Sequence, residues 1–293
     1  MSLLDKITGN RNAVDTGRQA MTNQELAVFQ RILYDQSGIV LTANKRALVE
    51  SRVNQRLRLL GMSCFSQYLQ YLEEDKTGEE LVHLIDVIST NVTKFFREPD
   101  HFELLDRKVE EWAARGQKRL RFWSAACSTG EEPYTMAMTL HPLQVKHKLD
   151  LMILATDIST RVLAHAQQGV YPAERLASVP DDLRKRYFAP GFGQQAGQFT
   201  ISEKLKKMVM YRRLNFTVFP YPIKGVFDVI FCRNAMIYFD RDLRTRMVTE
   251  FARLLRPGGI LMIGHAETLM GMDKLYRTLK PSMYQRLNDG VDG

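Results

Sequence analysis

Two adjacent carboxylates follow a turn of small residues, and this pair is the first candidate for chemistry. The turn runs from Ser124 to Ser128, and Gly130 precedes Glu131 and Glu132. Alternating apolar and aromatic residues before it predict a strand, and a helical pattern follows. A strand, a small-residue turn and a helix form the nucleotide-binding crevice of open α/β sheets.

The charge of this turn indicates which ligand it suits. It contains no lysine or arginine, and two acids stand at the helix entry. A pyrophosphate would be repelled, because phosphate sites need positive charge and exposed N–H groups. A ligand with an ammonium or sulfonium group would be attracted. The alternative is an ordinary strand–turn–helix whose acids favour the helix dipole.

An acidic residue, Asp157, ends the next predicted strand, which starts at Leu149. In such folds an acid at this strand tip binds the ribose hydroxyls, and the spacing from the turn is near the expected value. Asp157 could instead cap the following helix, although Ser159 or Thr160 would serve for that.

A third candidate is Arg97, which follows Phe95 and Phe96 just before the predicted sheet. This position favours an arginine that reaches into the cleft of the sheet. The two phenylalanines could instead pack a junction between domains.

Composition limits the class of protein. The chain has 293 residues and a formal net charge of +8, which favours acidic partners without choosing among them. No apolar run is long enough to span a membrane, and no signal-peptide pattern opens the chain. Three scattered cysteines indicate a reducing compartment, and the histidines lack metal-ligand spacing, so no metal site is expected.

The helical periodicity divides the chain. We expect a flexible N-terminus at 1–20 and a small all-helical domain at 21–90, with capping boxes at Thr22 and Thr77. Its second helix, over about 44–60, carries Lys45, Arg52 and Arg56 on neighbouring positions. They form either a solvated edge or a docking face for an acidic helix.

Residues 91–293 alternate strands and helices, which indicates an α/β sheet. The nearly continuous apolar run at 226–234 predicts a parallel strand buried on both faces. Proline and glycine interrupt the alternation, and we predict a small β insertion at about 188–213 that includes the strand-like segments QFTIS and KMVMYRR. A hairpin is expected around Gly191–Gly197, and its edge could accept a peptide strand.

Several strings in fixed order resemble one family: NVTKFFRE, WSAACSTGEEPYT, ATDIS, FDVIFCRNAMIYF, RPGG and GHAE. Together they resemble the chemotaxis receptor methyltransferases (CheR), over nearly the whole chain. The resemblance implies a class I S-adenosylmethionine-dependent methyltransferase, with a Rossmann-like α/β sheet, an all-helical N-terminal domain and a small antiparallel β insertion.

The resemblance also implies a set of residues around S-adenosylmethionine: Asn91, Thr93, Arg97, Glu132, Asp157, Asn215, Phe216, Arg233 and Asn234. In it, Glu132 would hold the methionine ammonium and Asp157 the ribose hydroxyls. Asn215 and Phe216 would flank the adenine. Arg233 and Asn234 would close the site, and no metal is implied.

The implied reaction is methyl transfer to the γ-carboxylate of receptor glutamates, giving methyl esters and S-adenosylhomocysteine. A glutamate is already ionised at neutral pH, so no general base is required. Arg97 and Tyr238 are the catalytic candidates. Arg97 would orient the carboxylate, and Tyr238 would brace the sulfonium and its methyl group.

The implied partners are the cytoplasmic helices of chemoreceptors, and for tethering members of the family a receptor C-terminal peptide. Gly191–Gly193 resembles the insertion loop of those members. We expect a cytoplasmic protein with no nucleic-acid partner and no membrane insertion. Two alternatives stay open: a methyltransferase acting on nucleic acid, disfavoured because RNAMIY lacks proline, and a non-catalytic receptor-binding adaptor.

Overall fold

The computed structural model describes residues 20–42, 45–88, 92–269 and 271–288. The chain divides into two compact units, which meet in sequence between Thr90 and Asn91. In the described part of the chain no helix is both long and apolar enough to cross a membrane.

The first unit consists, in its described part, of helices α1 (Asn23–Ser37), α2 (Arg46–Leu60), α3 (Phe65–Glu74) and α4 (Glu79–Ile88). The capping box predicted at the start of α1 is confirmed: Glu25 N donates to Thr22 Oγ1 at 3.1 Å, and Thr22 N donates to Glu25 Oε2 at 2.7 Å. Left-handed Gly38 and Gly61 end α1 and α2. The predicted first residue of α2, at position 44, lies outside the described residues.

The second predicted capping box, at Thr77, is wrong. A capping box would require the Glu80 carboxylate to accept from Thr77 N. It instead accepts hydrogen bonds from Arg56 Nε at 2.7 Å and from Tyr68 Oη at 2.6 Å. An ion pair between partly buried groups outcompetes a local cap, because the carboxylate is only 3% exposed. Arg56 therefore forms an ion pair within this unit, so the basic edge predicted on α2 loses one of its three cations.

The second unit is built on a mixed sheet. Its described strands are β1 (Arg119–Ala125), β2 (Asp150–Asp157), β6 (Val209–Arg213), β7 (Phe227–Cys232), β8 (Leu255–Ile263), β9 (Tyr276–Lys280) and β10 (Met283–Arg286). They are ordered β6-β2-β1-β7-β8-β10-β9, with parallel pairing from β6 to β8 and antiparallel pairing by β10.

Helices connect and cover these strands: α5 (Pro99–Ala114), α6 (Glu131–His147), α7 (Thr160–Gln168), α8 (Asp181–Tyr187), α9 (Glu203–Lys206) and α10 (Arg241–Leu254). All six residues of β7 are buried, as the apolar run predicts for a strand covered on both faces. Its side chains alternate between two core layers: Val229 and Phe231 enter one, and Ile230 and Cys232 enter the other.

The small antiparallel sheet is present, but the predicted boundaries of 188–213 differ from the structure. Its described strands are β3 (Val170–Pro172), β4 (Phe188–Pro190) and β5 (Gln198–Ile201), with β5 in the middle. The hairpin around Gly191–Gly197 joins β4 to β5. The KMVMYRR segment instead forms β6, where Ile153 pairs with Val209 in the main sheet, because its apolar side chains complete the edge beside β2.

Candidate active site

The carboxyl ends of three neighbouring parallel strands bring the predicted cofactor residues together. Ala125 at the end of β1 pairs with Thr156 of β2 and with Cys232 of β7. Asp157 is the last residue of β2, Arg233 directly follows β7, and Glu132 lies in the first turn of α6, which follows the turn after β1. Ligands of open α/β sheets bind at this edge, so the site lies where the topology places a crevice.

The turn after β1 has a tightly determined backbone. Ala126, Ser128 and Gly130 have positive φ angles of 63°, 49° and 98°. Ser128 N donates to Asp157 Oδ2 at 2.9 Å, which holds the turn against the tip of β2. Left-handed conformations of non-glycine residues are costly and cluster at functional sites, where surrounding contacts maintain them.

Gly130 could not be replaced by a larger residue without rearrangement. A Cβ atom there would lie 2.8 Å from both Ala166 Cβ and Tyr171 Oη. The Tyr171 hydroxyl donates to the carbonyl of Thr129 at 2.8 Å, so a residue of the small sheet supports the turn directly.

Asp157 is 8% exposed, and both its oxygens accept backbone N–H groups: Oδ2 from Ser128 and Oδ1 from Ser159 at 3.0 Å. It is not the cap of α7. That position belongs to Ser159, whose hydroxyl accepts from Val162 N at 3.2 Å. The Asp157 carboxylate therefore stays fixed at the strand tip, in the place predicted for a ribose contact.

Glu132 lies in the first turn of α6, with its side chain 13% exposed. Ser124 Oγ donates to Glu132 Oε1 at 2.7 Å, and Arg233 Nη1 lies 3.2 Å from Oε2. Burial raises the pKa of the Glu132 carboxyl above its usual value, and the positive charge of Arg233 acts against this shift.

Arg233 connects the end of β7 to the segment before α5. Its Nη2 lies 2.9 Å from Glu98 Oε2 and also donates to the carbonyl of Arg97. The guanidinium carbon lies 5.4 Å and 5.8 Å from the ring centroids of Phe102 and Phe231. With a side chain only 2% exposed, Arg233 is a buried cation between two carboxylates.

Glu98 is held from several directions. Besides the ion pair with Arg233, it accepts from Asn234 Nδ2 at 3.4 Å and from His265 N at 3.3 Å. Burial acts to raise the pKa of Glu98, but Arg233 and these donors outweigh it, so the pKa lies below its usual value. Glu98 has a φ of 54°, another left-handed residue at this edge.

The segment before α5 carries the predicted site residues Arg97 and Thr93, which make different contacts. Arg97 Nη1 donates to the Val92 carbonyl at 3.0 Å, while its own carbonyl accepts from Arg233. The Thr93 carbonyl accepts from Arg175 Nη1 at 3.1 Å. Asn91, also predicted to bind the cofactor, lies outside the described residues.

Phe95 is fully buried within the second unit. Its ring centroid lies 5.0 Å from that of Tyr171 and 5.6 Å from that of Phe188, both from the small sheet. Ser178 Oγ also donates to the Phe95 carbonyl at 2.8 Å. The small sheet and the 3₁₀ turn Ala173–Ser178 therefore support the segment that carries Arg97.

The predicted adenine residues follow β6. Leu214 N donates to the carbonyl of Asp157 at 3.0 Å, which brings Asn215 beside the tip of β2. Asn215 Oδ1 accepts from Thr217 N and Thr217 Oγ1, each at 3.0 Å, and so shapes the loop. Phe216 is 8% exposed and packs edge-on against Phe239 at 6.0 Å.

Asn234 and Tyr238 lie on the loop after β7. Asn234 is left-handed, with a φ of 58°, and the half-buried Tyr238 ends the 3₁₀ turn Met236–Tyr238. Glu267, from the loop after β8, accepts hydrogen bonds from backbone N–H groups of this loop. Glu98 and Glu267 both stand in strings that indicate the family, but no local pattern predicts their roles.

Three potential metal ligands also meet here. One ligand atom each from Glu98, His101 and His265 lie within 4.8 Å of one another. Both oxygens of Glu98 already accept hydrogen bonds: Oε2 accepts two from Arg233, and Oε1 accepts one from Asn234 Nδ2. A cation at this point would face the guanidinium, so the arrangement disfavours a metal.

The donor set suits a cationic nucleoside. It combines a partly exposed carboxylate, Glu132, with a fixed acid at the strand tip, Asp157, beside a turn that has no basic side chain. Phe216 supplies an apolar surface beside them. These are the contacts that an ammonium, a ribose and a base require.

Comparisons with known proteins identify the family. Residues 91–284 match the family model "CheR methyltransferase, SAM binding domain", and residues 24–89 match "CheR methyltransferase, all-alpha domain". A "Chemotaxis protein methyltransferase" of Borreliella burgdorferi is 38% identical over 91% of this chain and 95% of that protein. "Chemotaxis protein methyltransferase 2" of Pseudomonas aeruginosa is 40% identical over 90% and 93%.

Among solved structures, a SAM-dependent methyltransferase from Geobacter sulfurreducens in complex with S-adenosyl-L-homocysteine is 17% identical. It covers 59% of this chain and 49% of that chain with a TM-score of 0.32, which is too low to support a functional assignment. The two family models cover almost all of the described chain, and the chain belongs to the CheR methyltransferase family.

Proposed function

We propose that this protein transfers a methyl group from S-adenosylmethionine to the γ-carboxylate of glutamates on the cytoplasmic helices of chemoreceptors. The observation that carries the proposal is the meeting of Glu132, Asp157 and Arg233 at the sheet edge, in a crevice whose turn lacks basic residues. Family membership and relatives named chemotaxis protein methyltransferases support the substrate class.

S-adenosylmethionine supplies an electrophilic methyl group on a sulfonium. A carboxylate oxygen of the receptor forms the new C–O bond as the S–C bond breaks, and the electron pair stays on sulfur. The products are a glutamate methyl ester and S-adenosylhomocysteine, with no proton transferred. A receptor glutamate is already ionised at neutral pH, so alignment is the main task of the protein.

The residues of the site take the following roles in this proposal. Glu132 attracts the methionine ammonium, and Asp157 accepts from the ribose hydroxyls. Asn215 and Phe216 flank the base, Thr93 lines the cofactor and reaction site, and Arg233 with Asn234 closes the crevice.

Arg97 and Tyr238 act on the reacting groups. The Arg97 guanidinium now donates to the Val92 carbonyl, and it would turn to orient the incoming carboxylate. An overly tight pair would stabilise the ground state and slow the reaction, so we expect orientation rather than strong binding. The ring or hydroxyl of Tyr238 braces the sulfonium.

The hairpin tip supports a second proposed contact, with the C-terminal peptide of a receptor. Phe192, between Gly191 and Gly193, is 84% exposed, and β4 pairs within the small sheet only with β5 among the described strands. An extended peptide could add to this edge. Replacing Phe192 with serine should weaken binding of such a peptide and leave S-adenosylhomocysteine binding unchanged.

The direct test incubates the protein with methyl-labelled S-adenosylmethionine and receptor-containing membranes. We expect label on the receptor that is released as methanol by base, as methyl esters are. Label on RNA but not on the receptor would favour the nucleic-acid methyltransferase. Failure to bind S-adenosylmethionine in calorimetry would favour the non-catalytic adaptor.

Arg97→Ala tests the catalytic assignment. It should lose receptor methylation far more than cofactor affinity, whereas Arg107→Ala, at an exposed arginine on α5, should change neither. An equal loss of receptor methylation and of cofactor affinity in Arg97→Ala would indicate that Arg97 only binds the cofactor.

A further inference from the structure

Glu267 is a buried carboxylate whose role the proposed reaction leaves unassigned. It lies on the loop after β8 and is 7% exposed. Its Oε2 accepts from Gly264 N at 2.6 Å and from Asn234 N at 2.9 Å, and its Oε1 accepts from Ile237 N at 3.3 Å. A single side chain therefore binds three backbone N–H groups from two loops.

The loop held in this way carries two predicted site residues. Asn234 N lies before the 3₁₀ turn Met236–Tyr238 and Ile237 N lies within it, and Asn234 has a φ of 58°. Asparagine adopts this conformation more readily than other non-glycine residues, and surrounding contacts maintain it. The Glu267 carboxylate is one of these contacts, through Asn234 N, and Glu98 supplies another, through Asn234 Nδ2.

The approach between the two loops is close. A Cβ atom at Gly264 would lie 2.9 Å from Asn234 N and 2.9 Å from Glu267 Oε2. Only glycine fits there without a shift of either loop, so the carboxylate and the Asn234 backbone are packed to contact distance. A change of side-chain length or acceptor number at Glu267 must therefore move the loop.

We propose that Glu267 is a positioning residue, which fixes the loop 234–238 so that Tyr238 braces the sulfonium and its methyl group and Asn234 closes the crevice; this rests on the proposed function. A carboxylate suits the task because both oxygens accept and neither donates. A glutamine has one acceptor oxygen and would direct an NH₂ group at a backbone N–H. Misplacement by about 1 Å can cost 10²-fold in rate.

The expected signature separates positioning from general stability. Most of the predicted cofactor contacts lie on other elements, at Glu132, Asp157 and Phe216. Loss of Glu267 should therefore reduce the rate of methyl transfer more than the affinity for S-adenosylhomocysteine. A merely structural role would lower the melting temperature and leave the rate of the folded protein unchanged.

The test compares Glu267→Gln and Glu267→Asp with a matched control, Asp228→Asn. Asp228 is 5% exposed and accepts from Arg121 N at 2.7 Å and from Arg256 Nε at 2.6 Å, near the start of β7 and so away from the carboxyl edge. Each variant is assayed for melting temperature, S-adenosylhomocysteine affinity by calorimetry, and single-turnover methylation of receptor membranes.

We expect a 10- to 100-fold lower single-turnover rate in Glu267→Gln with an affinity within threefold of the wild type. Glu267→Asp keeps the charge but shortens the side chain, and we expect the same loss of rate at unchanged affinity. It replaces Glu267→Gln in the test if that variant does not fold. A rate within twofold of the wild type, or an equal rate loss in Asp228→Asn, overturns the inference. A wild-type protein that methylates no receptor refutes the proposed function and this inference together.

Discussion

Replacing the buried Arg233 by methionine is the most informative perturbation of this site. Its guanidinium is the cation that Glu98 and Glu132 share, at 2.9 Å and 3.2 Å. Methionine keeps much of the apolar stem beside Phe102 but leaves both carboxylates without their charged partner. The change therefore isolates the electrostatic contribution of one side chain.

The expected cost is large because the arginine is only 2% exposed. Removing one partner of a buried ion pair typically lowers the free energy of unfolding by about 3–5 kcal/mol. Glu98 would retain weak donors, Asn234 Nδ2 and His265 N, whereas Glu132 would retain, among the described residues, the hydrogen bond from Ser124. Adding Glu98→Gln should restore about 1–3 kcal/mol, since it removes one unpaired charge.

The penalty should also depend on pH. In the wild type, the lowered pKa of Glu98 means that its stabilising contribution is present above its unfolded pKa, near 4.5, and is lost as the pH falls through the folded value. Without Arg233, both carboxyls can escape their charge by protonation. The difference between the wild type and Arg233→Met should therefore shrink as the pH is lowered toward 4.

Tryptophan fluorescence is the natural probe for urea unfolding, because Trp112 and Trp123, the two tryptophans of the sequence, both lie in the second unit. Arg253→Met is the matched control. Arg253 pairs with Glu250 at 2.6 Å, but its side chain is 50% exposed, so its loss should cost less than about 1 kcal/mol. A cost for Arg233→Met below about 1 kcal/mol, or one independent of pH, would contradict the account of a shared buried cation.

Three further predictions concern stability. Gly130→Ala adds a close contact to backbone strain, so it should cost at least about 1 kcal/mol more than Gly116→Ala, where φ is also positive but the space is open; equal costs in fluorescence-monitored urea unfolding would rule out the contact. Burial and the charge of Arg233 lower the pKa of His101 to about 4. Below pH 6.5 the unfolded chain takes up a proton that the folded protein does not, so the free energy of unfolding should fall by about 3 kcal/mol between pH 6.5 and pH 4. This pH dependence should be missing in His101→Gln. Glu80→Gln should destabilise the first unit by about 3 kcal/mol, seen in circular dichroism with the tryptophan signal unchanged, and a smaller loss would show that the buried pair contributes little.

Local sequence patterns predict where strands form better than they predict which strands pair with one another. The apolar run that became β7 was recognised because burial on both faces leaves a continuous signal. The prediction that the β6 segment belongs to the small β insertion is wrong. Its partner is β2, more than fifty residues earlier, and nothing in its own residues distinguishes an edge of the main sheet from an edge of the insertion.

The same distinction applies to the site. Glu132 and Asp157 were predictable because they follow strand ends, and parallel strands bring their carboxyl ends to one edge. Glu98 and Glu267 were not, since their partners lie up to 167 residues away and the hydrogen bonds exist only in the folded chain. The predicted reach of Arg97 into the crevice is also incomplete: its carbonyl contacts Arg233, while its side chain contacts the Val92 carbonyl.

The pattern of charge at this edge explains how the site can stay acidic and still fold. Glu98 and Glu132 share one buried guanidinium, whereas Asp157 and Glu267 are satisfied mainly by backbone N–H groups. Burial raises the pKa of Glu132, and the positive charge of Arg233 acts against this rise. The residual negative charge then favours a cationic ligand and disfavours a phosphate, which is the selectivity that a sulfonium cofactor requires.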